Sequence, residues 1–159
     1  MSYHPPVTDV FRVARFYFVL LALFTVGRWA QSLGRVEYDR GHHVFSIVTL
    51  TFLSAAYFAA FCRKWRGYSL KQALLLGLTM GITAQVVIFV STVLSYALDL
   101  HTFFNHPRAL NSPAPLPFEA ALRVRAGGLF FGPLFTSVAA SLGWLMGAAL
   151  PDRTAPRAA

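Results

Sequence analysis

Acidic residues are scarce in this chain: six Asp and Glu stand against 14 Lys and Arg in 159 residues, for a formal net charge of +8. A single cysteine, Cys62, excludes an intrachain disulfide and any cysteine-based metal framework. Charge of either sign is missing from four stretches, 16–27, 41–62, 72–98 and 126–151. The lack of acids inside them counts against a proton- or sodium-coupled carrier, which needs an ionisable group at membrane depth. No HExxH, zinc-finger or RNP pattern occurs. No Ser–His–Asp or Cys–His arrangement can be assigned, because the serines lie in apolar runs while four of the histidines gather at one rim. What remains is an apolar composition. The chain is 56 % hydrophobic and 13 % charged, where soluble domains run at about 45–50 % and 25 %.

A membrane-spanning helix needs about 20 mostly apolar residues at about 1.5 Å each. The sequence therefore predicts one membrane domain over 1–159, with spans at 12–33, 42–62, 71–98 and 126–150 and an outer loop at 99–125. The expected fold is an all-α integral membrane protein, a four-transmembrane-helix bundle with a short interfacial helix before the fourth span. That short helix is read from Phe118 onward, where Phe118, Ala121 and Leu122 share one face and Glu119 and Arg123 another. The first apolar run could imitate a signal peptide. Gly27-Arg28-Trp29-Ala30 follows it instead of a small-x-small cleavage pattern, so it reads as an uncleaved span.

Basic residues set the orientation. Arg12, Arg15, Arg63, Lys64, Arg66, Lys71, Arg153 and Arg157 fall on one side, against six arginines on the other. The short loop 63–71 holds four of them and no acid, which places it and both termini in the cytoplasm of a cell whose inner membrane holds the protein. Basic residues clustered at helix ends fit anionic lipid and topology better than nucleic acid.

Helices in lipid associate through small residues that let backbones approach. Gly77 and Gly81 form such a stripe in the third span, continued by Gln85 and Thr92. The fourth has Gly128-x-x-x-Gly132 and Ala139-x-x-x-Gly143-x-x-x-Gly147, and the second has Thr51, Ala55 and Ala59. Spacing leaves open whether the partners lie in this chain, a second copy or another protein. Pro133 should bend the fourth helix, since one backbone bond is lost. Two polar side chains are candidates for the bundle interior. Gln85 lies deep in the third span. Arg28 either sits in the outer headgroup layer beside Trp29 or points inward to pair with Glu37, Asp39 or Asp99.

His42, His43, His101 and His106 fall on the outer side. The second span begins near His43 and the third ends near His101, so these two imidazoles could share a depth. Imidazole and carboxylate are ligands for a divalent metal, and paired histidines can hold haem. Neighbouring helical residues point about 100° apart, which makes it hard for His42 and His43 to serve one ion. The sequence names no cofactor, and the alternative is that these histidines are simply interfacial.

The run from Cys62 through Arg63-Lys64-Trp65-Arg66-Gly67 to Gly77 ends one helix in a basic, glycine-containing turn and starts a glycine-spaced one. It resembles the middle of uncharacterised bacterial four-helix membrane proteins grouped as a domain of unknown function. The resemblance implies a bacterial inner-membrane protein with four spans and brings no activity with it. The function expected from all this is non-enzymatic: an accessory or assembly subunit, or a small homo-oligomer, partnered by lipid and by another membrane protein or itself. Two alternatives stand beside it. One is a small-solute or ion transporter or channel lined by Gln85 and nearby hydroxyls. The other is a metal- or haem-binding membrane protein using the outer histidines. A rim hydrolase or lipid-modifying enzyme is a further class that the outer His and Asp residues leave open.

Overall fold

Every regular element in the computed structural model, which describes residues 7–150 and side chains from residue 10, is helical. Four helices are long and apolar enough to cross a membrane: α1 (Val7–Leu33), α3 (Ile47–Arg66), α4 (Leu70–Ala97) and α5 (Phe118–Ala149). A four-residue helix, α2 (Tyr38–Gly41), and a 3₁₀ turn at Pro107–Leu110 lie in the connections at one end, here called the loop end. The opposite, turn end carries the tight α3–α4 connection. Asp152, Arg153 and Arg157, which the charge pattern assigns to the turn end, lie outside the described residues.

The α3–α4 turn follows from local chemistry. Gly67 takes a left-handed φ of 66°, which ends α3, and Ser69 opens α4 with a capping box. The Ser69 N–H donates to Gln72 Oε1 at 2.8 Å, and the Gln72 N–H donates back to Ser69 Oγ at 3.4 Å. Two helices joined by so short a link must run antiparallel.

α5 is wedged between α3 and α4, and α1 meets the same pair with no substantial contact to α5. The wedge depends on missing side chains. A Cβ on Gly81 would stand 2.6 Å from the Pro133 Cα, and one on Gly77 would stand 2.8 Å from the Ser137 Cα. Gly143 meets the Ala56 backbone, and a Cβ on Gly147 would lie 2.6 Å from the Ala60 carbonyl oxygen. These glycine spacings are thus occupied inside the chain, and α3 receives α5 on Ala56 and Ala60. Gly128 and Gly132 make room for the side chain of Gln85. Ala139, on the same spacing, is half-buried beside the fully buried Ala140.

α1 is held through side chains instead. The Tyr17 hydroxyl, wholly buried, donates to the Met80 carbonyl at 3.1 Å and meets Thr51 Oγ1 at 3.0 Å. Near the loop end Trp29 Nε1 donates to Ser91 Oγ at 3.4 Å, and Ser32 Oγ accepts the Phe103 N–H at 2.9 Å.

α1 begins at Val7, five residues before the span read from the sequence, and two further boundaries differ for a local reason. α3 starts at Ile47 rather than 42, because Ser46 caps it by accepting the Thr49 N–H and residues 42–45 form a turn. The interfacial helix expected before the fourth span is continuous with it. α5 runs unbroken from Phe118, since nothing between there and Gly132 forbids helix, and about 48 Å of rise results. Pro133 sits buried within α5 and cannot donate to the Leu129 carbonyl.

Candidate functional site

At the loop end the bundle opens into a cavity of about 170 Å³. Each wall comes from a different element. α1 contributes Arg28, α2 Tyr38, the cap and first turn of α3 Ser46 to Val48, α4 Ile88, the α4–α5 connection Phe103 and Phe104, and α5 Arg125. Toward the turn end α5 is keyed onto α3 at Gly143 and Gly147, while nearer the loop end its Gly128 and Gly132 face the side chain of Gln85.

Arg28 and Arg125 reach it from about one and a half to two turns inside their helices, counting from Leu33 and Phe118. Arg28 donates through Nη1 to the His42 carbonyl at 3.2 Å and toward that of Phe45 at 3.5 Å, with the Tyr38 hydroxyl nearby. Its guanidinium lies 5.4 Å from the Phe103 ring centre and 5.7 Å from that of Phe104. Arg125 donates from Nε to Thr92 Oγ1 at 3.0 Å and from Nη2 to the Phe104 carbonyl at 2.6 Å. A guanidinium has five N–H donors, so both keep donors beyond these neutral partners.

Among the described residues neither arginine has a carboxylate partner. Glu37 pairs with Arg40 at 3.1 Å, Asp39 with Arg108, and Glu119 with Arg123 at 3.9 Å, all well exposed. The inward alternative for Arg28 therefore describes its direction but not its partner: it points into the bundle and meets carbonyls and aromatic rings, not Glu37, Asp39 or Asp99. Two like charges face one cavity, and the N-terminal turn of the 20-residue α3 adds its partial positive charge at the same place. Removing such charges from water is costly without compensation. The arrangement suits an oxyanion, which can accept from both forks and from a helix N-terminus.

The connection that roofs the cavity is firmly built. Phe103, Phe104 and Leu110 are buried, and Ser95 Oγ meets Thr102 Oγ1 at 2.7 Å. Asn105 accepts the Thr102 N–H and donates to the Leu100 carbonyl, both at 2.8 Å. Tyr96 donates to the Leu116 carbonyl at 2.7 Å, tying the proline-rich stretch to α4.

The four candidate histidines occupy this region in different settings. Tyr38 stacks on His106 at 4.1 Å and on His42 at 5.1 Å. His42 and His43 lie in the turn before α3 rather than on it, so their rings approach to 3.6 Å instead of diverging as helical neighbours would. His42 borders the arginine cavity, while His101 and His106 line a separate space of about 320 Å³. Among the described residues no group of three or more His, Cys, Asp or Glu is placed to hold a metal ion. His106 accepts the Arg108 N–H on Nδ1, and burial first, then the adjacent Arg108, lower its pKa, with Asp39 opposing. Gln85 lies below the cavity, beside a space of about 20 Å³ shared with Thr51 and Thr136.

Sequence reasoning singled out Arg28, placed Thr92 on a packing stripe rather than beside Arg125, and missed Arg125 and Tyr38. A signal was present for Arg125. Arg40 and Arg123 have an acid one turn away, whereas Arg28 and Arg125 have none at three or four residues in either direction. No protein-family model, curated protein or solved structure matches the chain.

Proposed function

We propose that this is a multi-pass protein of a bacterial inner membrane that binds an oxyanion, phosphate or carboxylate, at the loop end of its bundle. The observation that carries the reading is the convergence of Arg28 and Arg125 on one cavity without a carboxylate partner among the described residues. Apolar walls from Ile88, Phe103 and Phe104 suit an anion carried on an apolar body, either a lipid headgroup or a small organic acid. The excess of basic residues at the turn end supports a cytoplasmic location for that end and for both termini, which puts the cavity on the outer face. The bacterial inner membrane rests on the resemblance of the 62–77 run.

The reading is of binding rather than catalysis. Arginine stays protonated and so orients and neutralises an anion without exchanging a proton with it. The glycines that suggested a subunit or homo-oligomer are filled by helices of the same chain, so they lend that alternative no separate support.

The test is titration of protein purified in mild detergent with inorganic phosphate, acetate and short-chain phosphatidic acid, followed by thermal stability. Binding is expected for at least one of these, and Arg28→Gln and Arg125→Gln should each weaken it by about tenfold or more. Equal affinity in both variants would rule the reading out. A response to phosphatidic acid without one to free phosphate would identify a lipid headgroup, and the reverse a soluble anion.

A further inference from the structure

A second basic recess lies at the turn end, with its α1 arginines about 20–24 Å along the helix from Arg28, and nothing in the loop-end site uses it. It is a groove of about 250 Å³ between α1 and α3. Arg12 and Arg15, one turn apart on α1, and Arg66 at the end of α3 line its mouth. Phe16, Tyr57 and Phe61 line its length, and no carboxylate among the described residues borders it. The aromatic wall continues along α3: the Tyr57 and Phe61 rings stack at 6.4 Å, and those of Phe61 and Trp65 lie 4.8 Å apart. From Arg66 to Tyr57 the helix rises about 13 Å. The groove is thus cationic at the rim and apolar for roughly the first half of an acyl chain.

The geometry points to an anionic phospholipid seated here, its phosphate between the arginines of α1 and α3 and one acyl chain along Phe16, Tyr57 and Phe61. Charge complementarity selects the headgroup, since a zwitterionic lipid adds a cation that the three arginines repel. The position gives the lipid a structural consequence. α1 packs only lightly on α3 and α4 and is held by few side-chain hydrogen bonds. A phosphate shared between Arg12 or Arg15 and Arg66 ties α1 to α3 at the turn end.

The test uses the full chain, delipidated in mild detergent, with thermal unfolding and native mass spectrometry read on the same sample. Added phosphatidylglycerol should raise the unfolding midpoint by about 5 °C near saturation and remain bound in the gas phase, while phosphatidylcholine should do neither. The double variant Arg12→Gln/Arg15→Gln should lose the shift, and Arg28→Gln should keep it. That last comparison separates this groove from the loop-end cavity, whichever of the two fails. Equal shifts from both lipids in the wild type would overturn the inference even if the double variant cannot be purified. So would an undiminished phosphatidylglycerol shift in a folded double variant.

Discussion

α1 and α5 face the same pair of helices from two sides and are held there by opposite means. α5 meets α3 and α4 where side chains are absent, with Gly77, Gly81, Gly143 and Gly147 each set against backbone of the neighbouring helix. α1 meets the pair through large or polar groups, a buried tyrosine and a tryptophan N–H, and its Ser32 accepts from the α4–α5 connection. The contrast shows what each seam can tolerate. A glycine seam gains from many short contacts and fails when any volume is added. A seam of side-chain bonds loses about one bond's worth at a time.

The largest effect should come from breaking the glycine seam. Gly143→Leu drives a side chain into the Ala56 backbone, where nothing flexible can yield. The cost should exceed about 3 kcal/mol, read as loss of a monodisperse species in detergent and a collapsed unfolding midpoint. Full stability in this variant would mean that α5 docks differently. On the other seam, Tyr17→Phe keeps the ring and removes the hydroxyl that touches Thr51 and Met80. About 1 kcal/mol should be lost, with the fold intact by circular dichroism. A loss as large as that of Gly143→Leu would erase the distinction between the two seams.

The smallest effect expected is a pH dependence at the loop end. His106 has a folded pKa below its ordinary 6.5, owing to burial and then to Arg108. The unfolded chain therefore takes up the proton first as pH falls. Its contribution to stability is complete above about pH 6.5 and declines from there down to the folded pKa. His106→Gln should flatten the stability profile in that window. An unchanged slope would assign it to another group.

How much of this was legible in the sequence depends on the length scale of the signal. The four long helices follow from charge-free runs and the rise per residue, which need no tertiary information. The α3–α4 turn is written in Gly67, Ser69 and Gln72. The start of α3 and the true extent of α5 were not legible from hydropathy. An apolar turn such as 42–45 counts as span, and a helical stretch with Glu119, Arg123 and Arg125 reads as a separate interfacial helix rather than as the start of the span. The site was half-visible. Arg28 stood out as a charge beside an apolar run, but its encounter with Arg125 joins residues almost a hundred positions apart on helices that barely touch. Of the histidines, conspicuous in the sequence, His42 and His106 stack on Tyr38, and only His42 and His43 meet each other.

The most direct test of the central claim is anomalous diffraction from crystals soaked in sodium selenate, a tetrahedral oxyanion that reports its own position. An anomalous peak within hydrogen-bond reach of both Arg28 and Arg125, absent in Arg125→Gln crystals, is the predicted result. Ordered side chains with no peak in that cavity at saturating selenate, or a peak that persists in Arg125→Gln, would contradict it.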